Sequence, residues 1–305
     1  MARGETYSIR VPASTANLGP GFDSIGMALG LYLELQVSLS QNWEVVALSK
    51  ELKQFPSDET NYMITVARKV ASAYGTKLAP CRVEVSSEIP LTRGLGSSAS
   101  AIVAGIELAD LVGGLNLTKE EKNRHASLFE GHPDNAGASV YGGLVIGRHS
   151  PASTELLSFP LEGLKAVAII PDYELLTEQA RNVLPLEIKY DQAVQASAVA
   201  NVLVAALLTK NWELAGKMMQ EDQLHEPYRS SLVPHLDSVV KIAAESGAFG
   251  TALSGAGPTV LCLVSEELAQ NVVSALCDAF PKFQVIELAI DNIGSNVALK
   301  DFSIK

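Results

Sequence analysis

The stretch PLTRGLGSSASAIVAG, Pro90 to Gly105, restricts the fold more than any other part of the chain. Gly94 and Gly96 precede a serine pair and a run of small residues that reads as a helix. Such a turn presents unpaired backbone N–H groups and the positive end of the helix dipole, which suits an anion, most often phosphate. The same pattern also fits a tight strand-to-helix turn with no ligand, so the loop alone leaves both readings open. GLGSSA is formally G-x-G-x-x-A, but a dinucleotide fold requires a second strand about 20 residues on, ending in an acidic residue. Here the helix runs past Glu107 and Asp110 into GGLNL and then into another helix. A Walker A loop is excluded because no G-K-S or G-K-T follows.

The chain's 305 residues exceed the usual size of one hydrophobic core, so two domains are expected. Proline, serine and threonine cluster in HSPASTELLSFPLEG, His149 to Gly163, which reads as a connection, with domains over 1–155 and 156–305. With 47% hydrophobic and 19% charged residues, the composition is that of an ordinary soluble globular protein. A net charge of -11 disfavours nucleic acid and anionic membrane as partners, while permitting a small anion in one local site. Cys81, Cys262 and Cys277 show neither metal-ligand nor redox spacing, which points to buried, inert thiols in a reducing cytoplasm. MARGETYSIRV lacks the long apolar core of a signal peptide. The longest apolar stretch, Ala193 to Leu208, is interrupted by Gln195, Ser197 and Asn201 and reads as a buried helix.

Strands are expected at TYSIRVP, ended by Pro12, at Leu31–Leu39 and from Cys81. Thr60 to Gly75 places Met63, Val66, Ala67 and Val70 on one helical face, with Thr60 as N-cap. Helices follow over Ser97–Val112 and from a Thr118–Glu121 capping box. The second half reads as a buried strand KAVAIIP, a helix over 191–208, the helix NWELAGKMMQ and a glycine-rich hairpin, then the helix EELAQNVVSALCDAF and the strand FQVIELAI. Hairpins mixed with helices indicate α+β layers rather than a regular βα repeat.

Two further glycine-rich segments, VPASTANLGPGFDSIGMAL and GTALSGAGPTVLCLV, lie next to strands, where backbone approaches a ligand closely. With all three segments in this order, the chain resembles the GHMP family of small-molecule kinases, whose phosphate loop has the form P-x-x-x-G-L-G-S-S-A. Pro90, Leu91, Thr92, Arg93, Gly94, Leu95, Gly96, Ser97, Ser98 and Ala99 match it throughout. The resemblance implies a two-domain α+β fold, with an N-terminal ATP-binding domain like the second domain of ribosomal protein S5 and a ferredoxin-like C-terminal domain. It also implies ATP and Mg2+ as cofactors, with loop residues 90–99, Ser100 and Gly255 at the nucleotide. Ser254, Gly255, Ala256 and Gly257 form the third motif, which by resemblance packs beside the loop; close packing alone also explains it. Ser98 or Ser97, with Glu130, would hold the metal. Where many family members carry the metal glutamate, this chain has Arg124, so the role passes to Glu130 across a short deletion.

Within the family, PASTANLGPGFDSIGMAL and EGHPDNAGASVYGGL resemble the branch that phosphorylates the side-chain hydroxyl of L-homoserine in threonine biosynthesis, and the likeness runs along essentially the whole chain. That acceptor carries an ammonium, a carboxylate and a hydroxyl, so its site needs an acid, forked donors and polar groups near the hydroxyl. By resemblance, Asn17 and Asp23 hold the amino acid, Arg181 and Arg229 grip its carboxylate, and Thr177 lies close by. Asn135 would meet the hydroxyl, with His132 near the site, and no general base is assigned. Considered as residues alone, Asn17, Asp134 and Asn135 equally suit turns, His132 a satisfied structural role, and the arginines and Glu130 a solvated surface. A mevalonate-like or sugar acceptor and a catalytically silent binder are the alternatives. A cytoplasmic homodimer is implied by the resemblance only.

Overall fold

The computed structural model describes Met1 and residues 4–300. The first half forms β1 (Thr6–Asn17), β2 (Gly21–Leu39), β3 (Glu44–Ala47), α1 (Tyr62–Ala73), β4 (Cys81–Ser87), α2 (Ser97–Gly113), α3 (Lys119–Glu130), α4 (Asp134–Tyr141), β5 (Leu144–His149) and β6 (Thr154–Phe159). The second half forms β7 (Lys165–Ile170), α5 (Thr177–Asn182), α6 (Tyr190–Leu208), α7 (Trp212–Met219), α8 (Glu226–Arg229), α9 (Leu236–Glu245), β8 (Gly250–Leu253), β9 (Val260–Val264), α10 (Ala269–Ala279), β10 (Gln284–Leu288) and β11 (Asn296–Leu299).

The chain builds two sheets. One has seven strands, in the order β11-β1-β2-β4-β3, with β5 pairing both β2 and β6. The other runs β10-β7-β9-β8, entirely antiparallel, which is the ferredoxin-like order expected of the C-terminal half. The alternation within β7 shows how the halves join. Ala166, Ala168 and Ile170 face the large core that also holds Ile9, Val11, Leu35 and Ile106, while Val167 and Ile169 face a second core with Val239, Cys262 and Leu276. A strand buried on both faces needs a continuous apolar run, and KAVAII supplies it.

Several expectations are corrected. Pro12 does not end its strand: β1 continues through it, with a register shift directly after Pro12, where the missing N–H costs no ladder bond. The N-cap of α1 is Asn61, whose side chain accepts from the Met63 N–H, rather than Thr60. The capping box at Thr118 and Glu121 is present. The segment taken for a connection contains β6, paired along its length with β5, so the change of sheet falls between Phe159 and Lys165, and β11 returns to the first sheet. Helix α6 is long and apolar enough, with a mean hydropathy of 1.3, to cross a membrane by length and composition alone. It is not a buried helix: Ala196, Leu203, Ala206 and Leu207 are buried, whereas Tyr190 is 87% and Val194 48% exposed. Cys277 is exposed, unlike Cys81 and Cys262.

Candidate active site

The three glycine-rich segments meet. A methyl group at Gly94 would fall 2.3 Å from the Ser254 carbonyl oxygen, and one at Gly96 2.2 Å from Ser14 Oγ, so only glycine lets the loop lie between the first and third segments. Both also adopt left-handed φ, 78° and 70°. The Ser254 hydroxyl donates to the Gly94 carbonyl at 2.6 Å, the Gly255 N–H to Ala16 at 3.1 Å, and the Asn17 amide to the Gly255 carbonyl at 3.0 Å. Gly96 is the N-cap of α2 and offers no side chain to cap it, which leaves the first-turn N–H groups facing a cavity of about 150 Å³.

That cavity gathers most of the expected residues: Asn17, Asp23, Thr92, Gly94, Gly96, Ser97, Ser98, Ala99, Glu130, His132, Asn135, Thr177, Arg181, Arg229, Ala256 and Gly255 all line it. Others lie elsewhere. Leu95 is buried in the core, and Ser100 turns its hydroxyl to the Pro12 and Gly96 carbonyls. Pro90 is not among the residues that line this cavity. Arg93 donates to the carbonyls of Pro171 and Asp172 and pairs with Glu174 at 3.4 Å, tying the loop to the second half instead of facing the helix terminus.

The two arginines differ in how their charge is met. Arg181, in α5, makes a forked pair with Asp23, 2.8 and 3.1 Å, and this raises its pKa. Arg229, at the end of α8, is only 2% exposed. Its partners are the Ala180 and Gly255 carbonyls, each at 3.0 Å, and His225 Nδ1 at 3.2 Å, with no carboxylate in salt-bridge reach among the described residues. Burial, and then the charge of Arg181, lower its pKa to about 10. Asn17 and Asp23 are themselves held at left-handed φ, 76° and 53°, and the Asp23 N–H donates to Asn17 Oδ1 at 3.1 Å. Such backbone strain persists where surroundings over-determine it, as at ligand sites.

On the opposite wall, the Ser98 hydroxyl donates to Glu130 Oε1 at 2.9 Å. Burial raises the Glu130 pKa, opposed first by His132, whose Nε2 lies 4.0 Å from Glu130 Oε2, and then by the Ser98 hydrogen bond. His132 Nδ1 lies 2.5 Å from Asp134 Oδ1. Burial opposes its protonation, but the Asp134 hydrogen bond and the surrounding acids prevail and push its pKa up to about 9. The Asn135 amide reaches Ser14 Oγ at 3.1 Å, and α4, which carries it, is seated on β2 and β5 through Ala28, Ala138 and Val145.

A second, apolar cavity of about 570 Å³ opens on the other side of the α2 terminus, lined by Leu33, Val45, Leu52, Phe55, Tyr62 and Ile89 together with Leu91, and sharing Thr92, Ser97 and Ser98 with the first. Its residues come from separate elements with no common motif, and the sequence gives no sign of it. Phe22 was also missed, though an aromatic between Gly21 and Asp23 was a usable signal: its ring lies beneath Arg229 and Arg181, 5.2 and 5.7 Å from their guanidinium carbons.

Residues 61–143 match the GHMP kinases N terminal domain and residues 203–282 the GHMP kinases C terminal model. The chain is 50% identical to the homoserine kinase of Bacillus velezensis over 289 residues, covering 95% of this chain and 94% of the relative. It is 50% identical to that of Shouchella clausii, covering 96% of this chain and 99% of the relative. The crystal structure of homoserine kinase from Cytophaga hutchinsonii superposes with a TM-score of 0.86 at 30% identity, covering 98% of this chain and 99% of that one. A mevalonate kinase structure, at 19% identity and a TM-score of 0.70, shares the fold over 93% of this chain and 99% of its own. Two domain models in sequence order, and identity sustained along nearly the whole length, establish that this chain belongs to the GHMP kinase family.

Proposed function

We propose that the protein transfers the γ-phosphoryl group of ATP to the side-chain hydroxyl of L-homoserine, giving O-phospho-L-homoserine and ADP. The observation that carries this reading is Arg229: a buried cation oriented by neutral acceptors and facing a small cavity is matched by a carboxylate that arrives with the substrate. Asp23 supplies the complementary acid for the ammonium, with Arg181 released to the carboxylate as that exchange occurs. Asn17 and Thr177 complete the acceptor wall, and Asn135 orients the hydroxyl. The naming of relatives half-identical to this chain as homoserine kinases supports the same acceptor.

The amides at the start of α2 cradle the phosphates, and the adjoining apolar cavity accommodates the base. Ser98 and Glu130 fit Mg2+: a hydroxyl and a carboxylate oxygen 2.9 Å apart are two hard oxygen ligands of the kind the ion takes, and both line the cavity. Bound there, the ion would supply positive charge to offset that of the transferring phosphoryl group. His132 and Asn135 flank the point of transfer. No general base is needed where a loose, metaphosphate-like transition state leaves the alcohol little changed, because positioning and charge neutralisation carry the rate.

A nucleotide domain over 1–155 and a second domain over 156–305 belong to the same reading. A cytoplasmic homodimer in threonine biosynthesis is likewise part of it, and sedimentation of the purified protein tests the assembly. The function is tested by offering L-homoserine, mevalonate, galactose and L-serine in parallel with ATP and Mg2+ and identifying the phosphorylated product by mass. Product from L-homoserine is expected; turnover of another acceptor instead overturns the roles of Asp23, Arg181 and Arg229.

A further inference from the structure

The Arg229 guanidinium is held by a side chain that the phosphoryl-transfer scheme does not use. His225, directly before α8 and four residues before Arg229, is completely buried. Its Nδ1 lies 3.2 Å from Arg229 Nη1, and its Nε2 lies 2.9 Å from the Gly19 carbonyl oxygen. A guanidinium nitrogen only donates and a carbonyl only accepts, so the partners fix the tautomer: Nδ1 bare and Nε2 protonated. The ring stacks on Phe22, with centroids 5.2 Å apart and planes 22° off parallel. Beneath it, the Asp222 carboxylate accepts the N–H groups of His225 and Glu226 at 3.0 and 2.7 Å, which fixes the backbone.

We propose that His225 is a positioning residue for acceptor recognition, orienting the Arg229 guanidinium through Nδ1 and coupling it through Nε2 to the Gly19 turn between β1 and β2. The inference rests on the homoserine reading above. Its physical basis is the choice of a neutral acceptor. A carboxylate in this position would orient the arginine equally well but would neutralise it, as Asp23 does for Arg181, and the substrate carboxylate would then have to compete. Imidazole orients without neutralising, and the Nη2 of Arg229 keeps both hydrogens without a protein partner among the described residues. Burial, opposed by Asp222 and assisted by the charge of Arg229, pushes the His225 pKa down to about 4, so the ring stays uncharged at neutral pH.

Three variants separate the two ring nitrogens. His225→Asn keeps an acceptor near Nδ1, His225→Gln reaches only the Nε2 position, and His225→Phe keeps the stacking and loses both bonds. The loss of a hydrogen bond to a charged group predicts that H225F raises the KM for L-homoserine by about tenfold or more, with kcat and the KM for ATP within about twofold. H225N is expected to recover most of that loss and H225Q little of it. An unchanged homoserine KM in a folded H225F, or an ATP KM that rises in parallel, overturns the inference and leaves a packing role. If H225F does not fold, the order of the other two decides, since H225Q equal to or better than H225N is incompatible with the Nδ1 role. A wild-type protein that leaves L-homoserine unphosphorylated overturns the functional reading itself, which is a different result from a wild type that turns over and an H225F that matches it.

Discussion

A buried arginine and a half-exposed one, both turned toward one cavity, are not equivalent. Arg229 has no carboxylate in salt-bridge reach among the described residues and its orientation is set by carbonyls and a neutral ring, whereas Arg181 already holds Asp23 in a forked pair. Replacing Arg229 with Met removes the waiting cation at similar length, and charge-assisted bonds of this kind predict a rise in the KM for L-homoserine of roughly tenfold to a hundredfold. Arg181→Ala is expected to raise the same KM steeply as well, with ATP affinity little changed. Steady-state kinetics with each substrate varied in turn check both, and either variant matching wild type sinks the corresponding carboxylate assignment. Both arginines are candidates through the family resemblance, since taken alone each suits a solvated surface. Their difference was not legible, because it depends on Gly255, Ala180 and Asp23, residues far from Arg229 in sequence.

At the scale of elements, the loop feeding α2 is legible from its composition, since a glycine pair followed by small residues specifies a turn and a helix start. Its necessity is a matter of neighbours. Gly96 has a left-handed φ and no room for a Cβ beside Ser14, so Gly96→Ala strains the backbone and pushes the loop off β1. The strain costs on the order of 1–3 kcal/mol in stability. The same variant is expected to lose most ATP turnover, because the first-turn amides of α2 shift with the loop. Urea unfolding and the KM for ATP measure the two effects separately; a variant with wild-type values of both would refute the close-approach account. The reading of α6 failed for a related reason. Apolar composition alone does not distinguish a helix buried all round from one lying on the surface with Ala196, Leu203, Ala206 and Leu207 turned inward. Pro12 misled similarly, because a register shift makes the missing N–H harmless.

For the whole molecule, two groups before and in α8, His225 fully buried and Glu226 partly so, couple stability to pH in opposite directions. Burial raises the Glu226 pKa from 4.5 to about 8, although its carboxylate accepts the Leu253 N–H. The folded state therefore binds the extra proton across that window, and the contribution is complete below pH 4.5 and lost as pH rises through about 8. His225, lowered from 6.5 to about 4, acts the other way, taking stability away as pH falls through that range. Above pH 6.5 only the Glu226 contribution of the two changes, at no more than about 1.4 kcal/mol per pH unit. Denaturant unfolding at pH 6.5 and pH 8 is expected to show lower stability at the higher pH, to which His132, raised from 6.5 to about 9, contributes with the same sign, and Glu226→Gln to reduce the difference without abolishing it; equal slopes in both proteins would count against it. By itself the sequence determined the α+β class, the glycine turn that opens α2 and the capping box of α3, because each is written in local composition, spacing or motif, while the candidate acceptor residues follow from the family resemblance. Only the tertiary structure decided that three glycine-rich segments share one cavity, that an apolar cavity adjoins the α2 terminus, that Arg93 ties the loop to the second half, and that His225 holds Arg229. These depend on which distant backbones approach each other, and no local pattern encodes a contact between residues whose proximity is set by the packing of two sheets.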